Sequence, residues 1–329
     1  MALFHKQSKI QRAERLAAID IGSSKVCCAI ARPVPTSEKT YIQILGYGQI
    51  ASRGVRNGAI VDLEQLEDAI VNAVHHAEQN ANMNIKSVFV NLPTLATKLH
   101  RVTTKISLAG QVIEDQHIHK LIKQCRDEPA ILDKQIIHII PTSYTLDEAS
   151  GITDPRGMIG EELHAKLSVI TAPTGLIRNI SGCLARCQLE TDGFVAGGYA
   201  SGLSTLVEDE LALGVTVIDI GGGSTTIASF MDGALIDLAA IPIGGEHITR
   251  DIARVLATPL SQAERLKNLY GTLLPVSHND RETIMIPQLG EHAHLGTPSV
   301  TKFYLSEIIR ARVEELFDYI KKHFDAVQL

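Results

Sequence analysis

Tryptophan is absent from the 329 residues, and aromatic residues make up only 4% of them. The core must therefore be aliphatic, and its β-branched runs suit a buried parallel sheet. An excess of basic charge is also missing. The formal net charge is −6, which argues against nucleic-acid binding through the phosphate backbone. No run reaches the roughly 20 apolar residues of a membrane-spanning helix. The opening stretch, Met1 to Arg15, carries Lys6, Lys9 and Arg12 and lacks the apolar segment of a signal peptide. The expected setting is the cytoplasm. Cys27, Cys28, Cys125, Cys183 and Cys187 form no CxxC pair, so plain thiols are expected rather than a disulfide framework or a zinc site. His292 and His294 flank one alanine, but no carboxylate or cysteine frames them as a metal site. There is no GxxxxGK[ST] loop, and GGGSTT does not fit GxGxxG. GYASG at 198–202 offsets Ser201 from the nucleophile position of a hydrolase elbow.

What is present is an ordinary core-forming composition, 45% hydrophobic and 21% charged, in a chain long enough for about two globular bodies. LAAIDIGSSKVCCAI near residue 20 is echoed by VTVIDIGGGSTTIASF near residue 219. Each copy is an apolar run, an Ile-Asp-Ile-Gly, small polar residues and a second apolar run. Two such copies predict a two-lobed duplication with α/β halves. A glycine turn lets backbone amides approach phosphate oxygens closely. Gly22, Ser23 and Ser24 supply one such turn, and Gly221, Gly222, Gly223, Ser224 and Thr225 the other. Lys25 is placed to reach a β- or γ-phosphate as a point charge. Asp20 and Asp219 end buried strands and are expected to face each other across a cleft. There they would hold Mg²⁺ through its water shell. The expected ligand is ATP with Mg²⁺. Taken alone, either loop reads first as a plain β-hairpin turn; the matching pair carries the phosphate reading.

A third element lies at 244–267. Gly244, Gly245 and Glu246 precede a helix, and Glu264 and Lys267 follow three residues apart on the next one. They could contact ribose, base or phosphates; by themselves Glu264 and Lys267 fit a surface ion pair. Elsewhere, Asp62 opens a helix with Gln65 at the capping-box position, and Leu63, Leu66, Ile70 and Val74 share its apolar face. After the strand at 85–92 the pattern turns polar and His-rich to about residue 165, as an inserted domain would. A long apolar-striped helix closes the chain over 299–324.

These features resemble the actin–Hsp70–sugar kinase ATPase fold, and within it the FtsA family of bacterial actin-like cell-division proteins. The resemblance rests on SRGVRNGAIVDLE at 52–64, HIIPTSYTLDEASGITDPRGMIGEELHAKLSVIT at 138–171, VEDELALGVTVIDIGGGSTTIA at 207–228 and IGGEHITRDIARVLATPLSQAERLKNLYG at 243–271. It spans roughly residues 14–329. It implies a two-lobed actin-like (ribonuclease H-like) α/β fold with subdomain 1A at 14–83 and 168–194, an inserted subdomain 1C at 84–167, subdomain 2A at 195–243 and subdomain 2B at 244–329. The family continues past this point with a Gly-rich adenosine-contacting turn and a membrane-binding amphipathic helix, so the resemblance also implies a C-terminally shortened chain whose second lobe is incomplete.

The function the resemblance implies is an ATP-binding protein that self-assembles as a polymer or homodimer. It would link the FtsZ ring to the cytoplasmic face of the inner membrane at the septum and recruit later divisome proteins through 1C. Subdomain 2B would receive the FtsZ C-terminal tail, with Arg312 and Glu315 as contacts; without the family, both fit a solvated helix face. Gly198 and Tyr199 stand where hydrolytic relatives carry a Glu-Pro pair, so slow ATP hydrolysis or none is implied. The alternative within the same superfamily is the type IV pilus assembly protein related to FtsA. The SRGVRNG segment and the position of the insert argue against it. A sugar kinase would need a general base, and no carboxylate outside the loops offers one.

Overall fold

The computed structural model describes residues 15–36, 40–128, 131–274, 283–286 and 299–328. Most of the basic N-terminal stretch, and His292 and His294, lie outside the described residues. The chain divides into two units, one of residues up to Asp219 plus Thr226–Ala240, the other of Ile220–Thr225 plus Ile241 onward.

The first unit opens with β1 (Leu16–Ile21), β2 (Lys25–Pro35) and β3 (Thr40–Ala51), then the short strands β4 (Val55–Arg56) and β5 (Ala59–Ile60), and α1 (Leu63–Ala81). β6 (Ser87–Leu92), β7 (Lys98–Ser107), α2 (Asp115–Gln124), β8 (Lys134–Leu146), β9 (Ala149–Ile152), β10 (Glu162–Pro173), α3 (Thr174–Arg186) and β11 (Glu190–Ala196) follow. α4 (Gly197–Thr205), α5 (Glu208–Leu213), β12 (Val215–Ile220), β13 (Thr225–Met231) and β14 (Ala234–Ile241) complete the series.

One sheet runs β11-β6-β1-β2-β3. It corrects the expectation of a parallel sheet. β11, β6 and β1 are parallel, but β1, β2 and β3 form an antiparallel meander. The reason is the tight turn at Gly22, which returns the chain beside itself at once, whereas a parallel neighbour needs a long crossover. The Asp62 carboxylate accepts from the Gln65 backbone N–H at 3.0 Å and caps α1. The Gln65 side chain donates to the same carboxylate at 2.7 Å rather than returning to the cap's backbone. The buried stripe of α1 is Leu66, Ala69, Ile70, Ala73, Val74 and Ala77. Leu63, expected on it, is 38% exposed, because it sits in the first turn before the helix reaches the sheet.

A second sheet, β7-β10-β8-β9, has α2 against it. Its core joins Val102, Ile106, Leu163 and Leu167 of the strands to Ile118 and Leu121 of the helix. Two bonds tie this sheet to β14: Ser168 Oγ donates to Leu235 O at 2.8 Å, and Arg101 donates to Ile236 O at 3.0 Å. The strands β12-β13-β14 form a third sheet.

In the second unit, α6 (Gly245–Val255), α7 (Leu260–Tyr270), β15 (Thr283–Met285), β16 (Ser299–Thr301) and α8 (Lys302–Val327) follow in order. Their core is Ile252, Ala263, Leu266, Ile284, Val300, Leu305 and Ile309. Thr301 caps α8 by accepting from the Tyr304 N–H at 3.2 Å. Among the described residues, no helix is long and apolar enough to cross a membrane.

Candidate functional site: two glycine-closed loops

The two echoed segments close in the same way. Gly22 N donates to Lys25 O at 3.0 Å, and Gly221 N donates to Ser224 O at 2.9 Å. Close approach excludes a side chain at Gly22 and crowds one at Gly221. A Cβ on Gly22 would lie 2.8 Å from Lys25 O, and one on Gly221 would lie 3.0 Å from Ser224 O. Both turns are therefore tight, with a glycine at the point of closure, and from such turns amides can be offered to an anion.

The first loop is strapped from outside by the SRGVRNG segment. Ser52 N donates to Ser24 O at 3.0 Å, and Gly58 N donates to Ser23 Oγ at 3.0 Å. Asn57 (φ 49°) and Gly58 (φ 73°) make the left-handed two-residue turn between β4 and β5. That conformation brings the Gly58 N–H to the Ser23 hydroxyl. Sequence reasoning used this segment as a family mark; its physical role is to hold Ser23.

The second loop is held by the start of α6. Gly245 N donates to Gly221 O at 2.9 Å, and Glu246 N donates to Gly222 O at 2.8 Å. A Cβ on Gly244 would be 2.4 Å from Gly221 O, so only glycine permits this contact. Glu246 itself pairs with Arg250 at 3.1 Å along the helix. Thr225, expected among the phosphate contacts, is fully buried and donates to Ile243 O at 2.8 Å. Its hydroxyl fastens the strand instead of facing a ligand.

Glu264 and Lys267 are more than a surface pair. Lys267 Nζ donates to Glu264 Oε2 at 2.7 Å, to Thr249 Oγ1 at 2.9 Å and to Gly245 O at 3.1 Å. Thr249, 6% exposed, donates in turn to Glu264 Oε2 at 2.5 Å. Burial pushes the Glu264 carboxyl up, but hydrogen bonds from Lys267 and Thr249 outweigh it and hold the group below the usual carboxylate range. This network ties α7 to the first turn of α6, and so to the second loop.

β1 buries alternate residues, but β12, expected to be a buried strand, buries none of its six. Asp20 and Asp219 are both solvent-exposed. Each is gripped by a neutral donor that sequence reasoning did not single out. Asn91 Nδ2 donates to Asp20 Oδ1 at 2.8 Å, and Ser201 Oγ donates to Asp219 Oδ2 at 3.0 Å. The register that sets Asn91 beside Asp20 is a parallel β6–β1 pairing, which no local motif announces. Among the described residues no group of three or more His, Cys, Asp or Glu could hold a metal directly. Separate oxygen donors, with the buried Asn91 Oδ1 lacking a hydrogen-bond partner among the described residues, fit a cation that keeps its water shell, as Mg²⁺ does. Lys25 is exposed at the rim of the first loop.

Gly198 and Tyr199 serve packing. Gly198 N donates to Thr94 Oγ1 at 3.1 Å, and a Cβ there would be 2.6 Å from Thr226 Cγ2. Tyr199 lies against His138 and Phe230, with ring centroids 5.2 and 6.4 Å away, and burial raises its hydroxyl.

In the second unit, Arg312 forms a two-pronged pair with Asp251 at 2.6 and 3.0 Å and a further bond to Glu315. All three residues border a groove of about 600 Å³ that Arg254, Val255, Tyr304 and Ile308 also line. Val255 and Tyr304 are 49% and 48% exposed there, so the groove offers apolar surface beside charge.

Comparison with known proteins identifies this set of features. A family model described as cell division protein FtsA matches residues 216–305, and one described as an SHS2 domain inserted in FTSA matches residues 96–171. Cell division protein FtsA of Rhizobium meliloti (strain 1021) is 38% identical over 318 residues, covering 94% of this chain and 72% of that protein. The Escherichia coli (strain K12) protein of the same name is 30% identical over 312 residues, with 94% and 72% covered. Among solved structures, the PilM-PilN type IV pilus biogenesis complex aligns with a TM-score of 0.64 at 15% identity, covering 96% of this chain and 78% of that one. MreB5 of Spiroplasma citri bound to ADP aligns with a TM-score of 0.51 at 12% identity, covering 94% and 78%. At those identities the structural likenesses speak for the actin-like ATPase fold alone, and the pilus protein gains nothing from them as a functional reading. Identity, coverage and the two family models together show that the chain belongs to the cell division protein FtsA family.

Proposed function

We propose that the two glycine-closed loops bind ATP with Mg²⁺, and that the bound nucleotide governs self-assembly of this chain rather than fuelling a reaction. The observation that carries the reading is the shared closure, Gly22 N to Lys25 O at 3.0 Å and Gly221 N to Ser224 O at 2.9 Å. A single such turn is a hairpin; the same closure twice, each beside a strand-end aspartate, suits an anion with several phosphates. Gly22, Ser23, Ser24 and Lys25 serve from one loop and Gly221, Gly222, Gly223 and Ser224 from the other. Asp20 and Asp219 meet the hydrated cation. Gly244, Gly245, Glu246, Glu264 and Lys267 act by holding the second loop. The packing of Gly198 and Tyr199, with no carboxylate at that position, supports hydrolysis that is slow at most.

The division role follows from the family. In this reading the chain contributes the nucleotide-binding and FtsZ-binding parts of the link between the FtsZ ring and the cytoplasmic face of the inner membrane at the septum. The groove beside Arg312 and Glu315 takes the FtsZ C-terminal tail, and the sheet β7-β10-β8-β9 with α2 serves self-assembly and the recruitment of later division proteins. Two measurements test it. Light scattering should rise with Mg²⁺ and ATP and stay flat with Mg²⁺ alone. Fluorescence anisotropy of a labelled FtsZ tail peptide should saturate with the wild type and fail to with Arg312→Ala. Scattering that ignores ATP overturns the assembly switch; a peptide that never binds the folded wild type overturns the FtsZ link.

A further inference from the structure

Three parallel strands, β11, β6 and β1, end side by side, with Asn91 of β6 in register with Asp20 on one side and Val195 on the other. In open sheets of this kind ligands bind beyond the carboxyl ends of the strands. Asn91 thus stands on the ligand side of its sheet, next to the aspartate that ends the first echoed segment.

The orientation of its amide is fixed. An ionised carboxylate only accepts, so the end of Asn91 that lies 2.8 Å from Asp20 Oδ1 must be its NH₂. The carbonyl Oδ1 is therefore turned away from Asp20. That oxygen is buried and receives no hydrogen bond among the described residues. Such acceptors are uncommon in a settled structure and call for an explanation. Gly197, the first residue of α4, lies beside it. A Cβ there would be 3.1 Å from Asn91 Oδ1, so a side chain at that position would press on the carbonyl. Leu92, the next residue of β6, is fully buried in the core, which sets Asn91 on the opposite face of the strand.

Resting on the nucleotide reading above, we infer that Asn91 is a further residue of the Mg²⁺-nucleotide site. Its NH₂ holds the Asp20 carboxylate in place, and its carbonyl accepts an O–H from the cation's water shell. Magnesium releases its waters reluctantly and is commonly held through them. An amide suits this position better than a third carboxylate, because it accepts a hydrogen bond without adding negative charge next to phosphates.

The readout is the ratio of two ATP affinities, one in Mg²⁺ and one in EDTA, from equilibrium titration of a fluorescent ATP analogue into the full chain. Asn91→Leu removes both hydrogen-bonding ends of the amide and should lower the ratio about tenfold or more, the scale of losing an outer-shell partner of a metal. Asn91→Asp keeps the shape and one acceptor but adds a charge. It should weaken binding in EDTA most and so raise the ratio, the opposite sign. A purely structural role for Asn91 would lower both affinities together. The inference is overturned when wild type binds with a clear Mg²⁺ dependence and both variants keep its ratio within about twofold. Should Asn91→Leu fail to fold by circular dichroism, Asn91→Asp alone decides, by a raised or an unchanged ratio. A folded wild type that binds no ATP in either condition removes the nucleotide reading, and this inference with it.

Discussion

The ammonium of Lys267 lies 2.7 Å from the Glu264 carboxylate and 3.1 Å from the carbonyl of Gly245. One side chain thereby joins the second helix of its unit to the turn that receives the second glycine loop. Replacing Lys267 by Met should cost about 1–2 kcal/mol in urea unfolding, the scale of stranding a half-buried charged acceptor. The Glu264 carboxyl is held below its ordinary range in the folded protein, so its contribution is present above the unfolded carboxyl pKa and is lost as pH falls through the folded value. Wild-type stability should hold its Glu264 share near neutrality and shed it in the acid range below about pH 4. Lys267→Met should lose less on acidification than wild type does, and equal acid sensitivity would contradict the network's role.

Gly244→Ala and Gly175→Ala separate close approach from helix propensity. A Cβ on Gly244 would sit 2.4 Å from Gly221 O, whereas one on Gly175 meets nothing within 4 Å. The first substitution should destabilise by about 2 kcal/mol or more through backbone displacement. The second, in the opening turn of α3, should be neutral or stabilise by up to about 1 kcal/mol. Thermal unfolding of both variants checks the contrast.

Asp251 holds Arg312 with two bonds. Asp251→Ala should leave the guanidinium held by Glu315 alone, lower stability by about 1–3 kcal/mol, and weaken the proposed FtsZ tail binding about tenfold. Tail affinity by anisotropy, measured beside Arg254→Ala and Arg312→Ala, shows whether positioning of Arg312 matters as much as its presence.

Burial pushes the Cys28 thiol up to about 12, with the Glu78 and Cys27 charges adding to it. Cys187 is only half-buried, and a hydrogen bond from Cys183 lowers its pKa. Alkylation of the native protein near pH 8 should therefore label Cys187 well before Cys28, as peptide mass analysis over time would show; equal rates would contradict this packing.

Much of this was legible in the residues themselves. The repeated Ile-Asp-Ile-Gly gave both hairpins because a glycine between two apolar runs leaves few alternatives, and the stripe of α8 gave its helix because its period is strong. Long-range register was not legible. Asn91 reaches Asp20 through a parallel pairing 71 residues apart, and Ser201 reaches Asp219 from a separate helix. Thr225 looked like one more polar loop residue; only its burial and its bond to Ile243 show that it belongs to the strand. Leu63 fitted the apolar period of α1 but sits a turn too early to meet the sheet. The antiparallel pairing of β3 with β2 was hidden by aliphatic runs that parallel and antiparallel buried strands share.

The central claim is that both glycine loops hold nucleotide, and equilibrium binding of labelled ATP in Mg²⁺ tests it most directly, on wild type beside Gly22→Val and Gly221→Val. The expected result is saturable binding at one ATP per chain, weakened about tenfold or more by each substitution while circular dichroism stays unchanged. Saturable binding that neither substitution affects, or no binding by the folded wild type, would contradict it.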